Sequence, residues 1–460
     1  MPPKFGTSGL RGLVTELTAD LVAAHVGAFI RSCPTGTGLF VGRDLRPSSP
    51  AIAAGVVQAA RAAGLAVTDC GAVPTPALAL AAMGAGAAAV MVTGSHIPAD
   101  RNGLKFYTPA GEITKAHETA ILEALQQPAA PAAPGPVPVA DGGAGAAYVA
   151  RYVTAYGPDA LAGLRIGVYS HSSVGSDPLL AALAALGAAV TDLGRSDSFI
   201  PVDTEAVDAA TRAQLQGWAA AGVFDAIVST DGDGDRPLLT DAAGQVIPGD
   251  VLGQITAAAL GAEVVVTPVS SNTGAEASGR FARVVRTRIG SPFVIAGMEA
   301  TGGRVAGYEA NGGFLLGFAA DGPAGPLPPL MTRDALLPLI APLVAARAAG
   351  LAALVAAEPA RFTAADRLQE VPTDRSLALV AGLAADPRAR AAFLAGLGAV
   401  EAGVDRTDGL RLMLEGGRIL HLRPSGNAPE LRLYTEAESP AAAGALLAAG
   451  LAALARALEA

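Results

Sequence analysis

Four short segments of this chain carry side chains suited to chemistry. The first is Thr93-Gly94-Ser95-His96-Ile97-Pro98-Ala99-Asp100-Arg101-Asn102-Gly103-Leu104-Lys105, directly after the apolar run Ala87 to Thr93, which reads as a strand. Ligands of open α/β sheets bind outside the carboxyl ends of strands, where this loop falls. Gly94 permits a tight turn that exposes the Ser95 hydroxyl. A serine-hydrolase elbow does not fit, because its flanking glycines are missing. For a lone Gly-Ser, an ordinary surface loop is the plain alternative. Lys105 shifts the balance, because Lys4, Lys105 and Lys115 are the only lysines among 32 basic residues.

The second segment, Asp231-Gly232-Asp233-Gly234-Asp235-Arg236, follows the strand-like run Ala226 to Ser229. Three carboxylates at alternating positions, with glycines between them, can wrap one hard cation. An EF-hand fails on count: its sixth position would be Arg236 and its twelfth Ala242, where glycine and glutamate are needed. Three carboxylates favour Mg²⁺ over Zn²⁺. The third segment, Gly307-Tyr308-Glu309-Ala310-Asn311-Gly312-Gly313-Phe314, offers an acceptor and an amide on a Gly-rich loop, which suits sugar hydroxyls. The fourth, Arg423-Pro424-Ser425-Gly426-Asn427-Ala428-Pro429-Glu430-Leu431-Arg432, groups two arginines, a hydroxyl and an amide as a phosphate clamp would. The third alone reads as a plain turn, and the fourth alone is balanced against a basic hairpin tip.

The elements that must position these loops alternate along the chain. Gly38 to Gly42 reads as a strand, Pro50 to Ala63 as a helix and Ala66 to Cys70 as a strand; the pattern recurs at Arg165 to Leu193 and at Val251 to Thr267. Such alternation predicts βαβ units in mixed or parallel sheets. The stretch Gln127 to Ala147, rich in Pro, Ala and Gly, reads as a linker. Boundaries near 140, near Gly244–Gly249 and near Glu358–Thr363 divide the 460 residues into domains 1–140, 141–246, 247–360 and 361–460. In the last domain, Leu410 to Leu414, Arg418 to Leu422 and Glu430 to Tyr434 alternate as antiparallel strands before a terminal helix. The fold class expected is therefore α/β: three similar mixed-sheet domains and a C-terminal α+β cap around a central cleft.

Composition narrows the class further. Apolar residues make up 51% and charged residues 16%, which excludes a disordered chain. A net charge of −9 argues against a nucleic-acid surface, so an anionic substrate needs a local basic cluster. Cys33 and Cys70 form neither a metal spacing nor a disulfide framework, which fits a cytoplasmic protein. The opening Met1-Pro2-Pro3-Lys4-Phe5 lacks the apolar core of a secretory signal. Ala441 to Ala455, the longest apolar stretch, falls short of the ~20 residues a spanning helix needs. No membrane partner is expected.

In this order the four segments resemble the α-D-phosphohexomutase superfamily of phosphomannomutases, phosphoglucomutases and phosphoglucosamine mutases. Gly6-Thr7-Ser8-Gly9-Leu10-Arg11-Gly12 and Val41-Gly42-Arg43-Asp44-Leu45-Arg46 are similar to that family's first domain. The resemblance implies that Ser95 carries a phosphate. Asp231, Asp233 and Asp235 would hold one Mg²⁺, with an oxygen on Ser95 as a further ligand. Arg11, His96, Lys105 and Arg236 would line the transfer site, and Glu309 and Asn311 would hold the sugar. Arg423, Ser425, Asn427 and Arg432, with Arg288 where some relatives carry Lys, would serve the substrate and its distal phosphate. Some relatives have Ser at position 311 and His at 313, so a histidine acid/base there is excluded.

The implied reaction interconverts mannose 6-phosphate and mannose 1-phosphate through a sugar bisphosphate, which also acts as activator. The Glu-Ala-Asn sugar loop is closer to bacterial phosphomannomutases than to the other subgroups. Alternatives are a phosphoglucomutase, a phosphoglucosamine mutase, a sugar phosphatase using the same loops, or a non-catalytic binding protein. The partner is a hexose phosphate, and the expected assembly is a monomer or small homo-oligomer.

Overall fold

Ala-Ala-Val-Met-Val, residues Ala88–Val92, is buried at every position, as a strand covered on both faces must be. This strand lies parallel to Leu39–Arg43, which in turn lies parallel to Val67–Ala72. The computed structural model describes residues 3–6, 9–127, 133–425 and 429–459. They form two compact units, Met1–Val265 with Gly290–Val355, and Val266–Ile289 with Ala356–Ala460.

In the first unit, three sheets repeat one local plan. After Ala88–Val92 the chain makes the serine loop and returns antiparallel as Arg101–Thr108. In the second sheet, Ala189–Leu193, Arg165–Tyr169 and Ala226–Thr230 run parallel. The acidic loop follows, and the chain returns antiparallel as Pro237–Thr240. Val305–Tyr308 leads into the Glu309 loop and pairs antiparallel with Phe314–Leu316, which pairs antiparallel with Leu330–Asp334. Each loop thus occupies the turn into an antiparallel return strand. Ser49–Ala62 and Ala19–Ser32 cover one face of the first sheet. There Val26, Phe29, Val56, Val41 and Val90 close a core with no water-exposed side chain.

A buried polar brace ties helix Ala144–Tyr156 to strand Leu330–Asp334. The hydroxyls of Tyr148 and Tyr152 both donate to the Asp334 carboxylate, which also accepts the Leu336 N–H at 3.0 Å. Burial raises the Asp334 pKa, and the two tyrosine hydrogen bonds oppose that rise. The residues called a linker, Gln127 to Ala147, partly correct the expectation. Val139–Ala140 pairs as a short strand with Thr68 and Asp69, and the Ala144–Tyr156 helix already begins inside the stretch.

The second unit contains an antiparallel sheet in the order Phe362–Gln369, Glu430–Ala437, Ile419–Pro424, Leu410–Leu414, Glu401–Asp405. The two outer strands, and helices Thr373–Ala385 and Pro387–Ala395, were not legible as elements in the sequence. The terminal helix is longer than expected. Pro440–Glu459 has 20 residues and mean hydropathy 1.8 in its most apolar window, enough by length and composition to cross a membrane. In this unit it lies on the sheet, with Leu446, Gly450, Ala453 and Leu454 buried. Gly450 packs closely there, where a Cβ would stand 2.7 Å from Leu433 Cδ2 and make that side chain shift.

His421, on the central strand Ile419–Pro424, is 1% exposed, donates from Nε2 to the Asp408 carbonyl at 2.6 Å and stacks on Tyr434. Burial, joined by the charges of Arg411 and Arg423 and opposed by Asp408, pushes its pKa down to about 4. The folded value lies below the ordinary ~6.5, so this neutral ring is fully tolerated above pH 6.5. Its contribution is lost as pH falls from 6.5 toward 4, where protonation favours the unfolded chain. The His421→Gln variant is therefore expected to lose about 2–3 kcal/mol less stability than wild type between pH 7 and 4.5. Denaturant unfolding followed at both pH values checks this; equal losses in the two proteins would refute it.

Candidate active site

Ser95 sits at φ 53°, in the left-handed region that non-glycine residues seldom enter. Such backbone costs on the order of 1–3 kcal/mol and persists only where its surroundings enforce it. Here they do. The Ser95 N–H donates to Thr93 Oγ1 at 2.8 Å, and the Ser95 carbonyl accepts from Arg46 Nη2 at 2.8 Å. The same guanidinium donates to the carbonyls of Ile97 at 2.6 Å, Pro98 at 2.8 Å and Arg101 at 3.2 Å. Arg46 is 1% exposed, paired with Asp44 at 3.1 Å and stacked over the Phe199 ring at 4.0 Å. Gly94 leaves it room, since a Cβ there would stand 2.6 Å from the guanidinium carbon. This clamp directs the Ser95 hydroxyl to Asp231 Oδ2, 2.6 Å away.

Asp231, Asp233 and Asp235 are fully buried, and one oxygen from each lies within 4.8 Å of the others. Asp233 Oδ2 accepts from Thr75 Oγ1 at 2.5 Å and from Lys105 Nζ at 2.6 Å; Asp235 Oδ2 accepts from Lys105 at 2.7 Å. The opposite oxygens, Asp233 Oδ1 and Asp235 Oδ1, are buried with no hydrogen-bond partner. Orphaned buried carboxylate oxygens are costly unless something positive meets them. Three hard oxygen donors with two such orphans fit a Mg²⁺ ion held by Asp231, Asp233 and Asp235. The carboxylates divide electrostatically. Burial and its two neighbours push Asp231 well up, whereas Lys105, Thr75 and Arg333 overcome burial and pull Asp233 down.

The cations come from separate strands and from the acidic loop itself. Arg236 Nε lies 3.9 Å from Asp231 and 3.7 Å from Asp235, while its Nη1 donates to His96 Nδ1 at 2.8 Å. That donor fixes the His96 proton on Nε2, 3.8 Å from Asp203. Burial, then the charges of Arg236 and Arg11, push the His96 pKa down to about 2, so the ring is neutral at physiological pH. Arg11 belongs to the same cluster: burial and the like charges of Arg236 and Arg333 bring it down to about 10.

Glu309 and Asn311 stand on a tight turn in which the Gly312 N–H donates to the Glu309 carbonyl at 2.9 Å and the Gly313 N–H to Asn311 Oδ1 at 3.0 Å. Arg333, at the end of strand Leu330–Asp334, lies 2.9 Å from Asp235 Oδ2 and donates to Glu309 Oε2 at 3.4 Å. Ser95, His96, Lys105, Arg11, Asp231, Asp233, Asp235, Arg236, Glu309 and Asn311 all lie in the first unit. Arg288, Arg423, Ser425 and Arg432 lie in the second, and Asn427 lies outside the described residues. In the second unit, Arg423 Nε donates to Asp408 Oδ2 at 3.0 Å, and the same carboxylate oxygen accepts the Ile289 N–H at 3.0 Å. One carboxylate thereby joins the segment carrying Arg288 to the strand carrying Arg423.

Sequence reasoning missed Arg46, Thr75, Arg333 and Asp408 as site residues. Arg46 and Asp44 were visible in the segment Val41 to Arg46 but had no assigned task. The others had no local signal, since Thr75 meets Asp233 158 residues away, Arg333 meets Glu309 24 residues away and Asp408 meets Arg423 15 residues away.

Comparison with known proteins follows the same lines. Residues 2–131 match the phosphoglucomutase/phosphomannomutase alpha/beta/alpha domain I, residues 248–362 its alpha/beta/alpha domain III and residues 368–453 its C-terminal domain. The chain is 50% identical to a phosphomannomutase of Sinorhizobium fredii over 99% of both chains. It is 42% identical to one of Salmonella muenchen, over 95% of this chain and 92% of that one. A solved phosphoglucomutase/phosphomannomutase family protein of Burkholderia thailandensis shares the fold, with a TM-score of 0.78 at 22% identity, over 98% of this chain and 97% of that one. With three domain models matched in order and half the residues shared across a full-length relative, the chain belongs to the phosphoglucomutase/phosphomannomutase family of α-D-phosphohexomutases.

Proposed function

We propose that the protein interconverts mannose 6-phosphate and mannose 1-phosphate, with Ser95 as the residue that carries and returns the phosphoryl group. The observation that carries this reading is the Ser95 hydroxyl, held in a strained backbone 2.6 Å from a buried carboxylate trio with two orphaned oxygens. Preference for mannose is supported by the phosphomannomutase relatives at 50% and 42% identity. In this reading each of the four loops serves its own domain, 1–140, 141–246, 247–360 and 361–460, and the protein works in the cytoplasm, consistent with the free, buried Cys33 and Cys70.

In the forward step the bond from phosphorus to Ser95 Oγ breaks and a bond to the free substrate hydroxyl forms. The hydroxyl proton leaves to a base, and Ser95 remains as alkoxide until protonated. The resulting sugar bisphosphate turns around and returns its other phosphate to Ser95; added bisphosphate phosphorylates resting Ser95 and so activates the enzyme. Bound Mg²⁺ would offset charge on the transferring phosphoryl oxygens. Arg236 and Arg11 supply fixed positive charge beside the same position, and Glu309 and Asn311 offer an acceptor and an amide to the sugar hydroxyls. Arg288, Arg423, Ser425, Asn427 and Arg432 would take the phosphate that is not reacting. Lys105 is the first candidate for the proton, being 3% exposed and aimed at the carboxylates from the strand beside the serine loop. His96 is a poorer one, because its Nδ1 already accepts from Arg236 and the ring binds a second proton only near pH 2.

A coupled assay with mannose, glucose and glucosamine phosphates, compared by kcat/KM, tests the reading. Mannose phosphates are expected to be preferred, activity to require a divalent cation and a sugar bisphosphate, and intact mass to show phosphate on Ser95. Stoichiometric release of inorganic phosphate would make the protein a phosphatase instead, and turnover undiminished by EDTA would remove the metal. The Ser95→Ala variant is expected to retain its fold and lose turnover; full activity in that variant ends the mechanism.

The Lys105→Arg variant separates charge from proton transfer. Arginine keeps the positive charge but does not release a proton near neutral pH. Loss of general acid–base help is typically on the order of 10²–10⁴-fold, and kcat is expected to fall by that range while sugar phosphate still binds. Near-normal kcat would leave Lys105 as a charge alone.

A further inference from the structure

Arg333 joins two loops that chemistry must keep in register. Its side chain is 3% exposed, with one terminal nitrogen 2.9 Å from Asp235 Oδ2 and the other hydrogen-bonded to Glu309 Oε2 at 3.4 Å. Its backbone is pinned from the next residue, since Asp334 accepts from Tyr148, Tyr152 and the Leu336 N–H. The space it crosses is taken from residue 313: a Cβ on Gly313 would stand 2.8 Å from Arg333 Cδ and 2.9 Å from its Cγ. Gly313 does not adopt the left-handed backbone, whereas its neighbour Gly312 does, at φ 88°. Conformation therefore does not require glycine at 313; the passage of Arg333 does.

We propose that Arg333 is a positioning residue that sets Glu309, and with it the sugar loop, against the metal-binding carboxylates, and that Gly313 is glycine to let it through. The proposal rests on the mutase reading, in which Glu309 meets the sugar. A guanidinium can do this because its two terminal nitrogens diverge at fixed angles, Nη1 donating to Glu309 while Nη2 brings positive charge to 2.9 Å from Asp235 without a hydrogen bond. An ammonium is a single point of charge and cannot span both.

The test is a set of four variants beside the wild type, Arg333→Lys, Gly313→Ala, Arg333→Ala and Arg333→Ala with Gly313→Ala, each checked for folding by thermal unfolding and assayed with mannose 1-phosphate and varied Mg²⁺. Arg333→Lys keeps a charge beside Asp235 but loses the arm to Glu309. A lost hydrogen bond between charged groups is worth roughly ten- to a hundredfold, so KM is expected to rise by at least about tenfold, with kcat and the Mg²⁺ dependence within about threefold. A merely structural arginine would instead lower the folded fraction and leave KM alone. Gly313→Ala is expected to show the same rise in KM, because its methyl expels the side chain. Adding Gly313→Ala to Arg333→Ala is expected to cost less than about twofold more, since both act through one contact. A wild-type KM in Arg333→Lys, or in Gly313→Ala should the lysine variant not fold, overturns the proposal, as do additive effects in the double variant. Wild-type protein that turns over no hexose phosphate would bring down the mutase reading and this proposal together; an active wild type with unaltered variants would bring down this proposal alone.

Discussion

Three carboxylates buried within 4.8 Å of one another set the terms for the rest of the first unit. At that spacing, away from water, their mutual repulsion and lost hydration far exceed what a domain can absorb uncompensated. The answer is a ring of cations brought from separate places: Lys105 from the return strand of the first sheet, Arg236 from the acidic loop itself, Arg333 from the third sheet. Lys105 sits on Asp233 and Asp235 and, with Thr75 and Arg333, holds Asp233 as an anion, while Asp231, which takes the Ser95 hydroxyl, bears the cost of burial. The serine is thus paired with a carboxylate less readily charged than Asp233.

The sheets make this convergence possible. In all three, the chemically active loop is the connection from Ala88–Val92, Ala226–Thr230 or Val305–Tyr308 into an antiparallel return strand. Such a connection needs only a few residues and leaves both of its ends hydrogen-bonded, so the loop inherits the rigidity of two strands. Lys105 and Ser95 demonstrate the benefit, lying on either side of one such turn with their polar ends directed at different members of one carboxylate trio.

The loops were legible in the sequence because their chemistry is local. Asp231, Asp233 and Asp235 are two residues apart, and glycines around Ser95 and Asn311 announce turns before any contact is known. Alternating apolar runs announced the strands for the same reason. Arg46, Thr75 and Arg333 were not legible as parts of the site, because their significance lies in where a strand or helix end points them. The apolar stretch reads as Ala441 to Ala455, and the Pro440–Glu459 helix is longer because alanine and leucine continue it past Arg456. Three of the second unit's elements, Phe362–Gln369, Thr373–Ala385 and Pro387–Ala395, carry mixed polar and apolar residues without clean periodicity and gave no signal.

The attachment of Arg46 to the serine loop also has a mechanical side. The carbonyls of Ser95, Ile97, Pro98 and Arg101 all end on one guanidinium, itself locked by Asp44 and roofed by Phe199. A backbone tethered at so many points cannot carry its serine between two stations, which leaves the hydroxyl only rotation about the Cα–Cβ bond. Whatever ligand presents first one end and then the other must tumble before a stationary serine. The lifetime of that loosely held ligand, and its chance of escaping into bulk water, are then governed by the walls it tumbles against rather than by the serine loop.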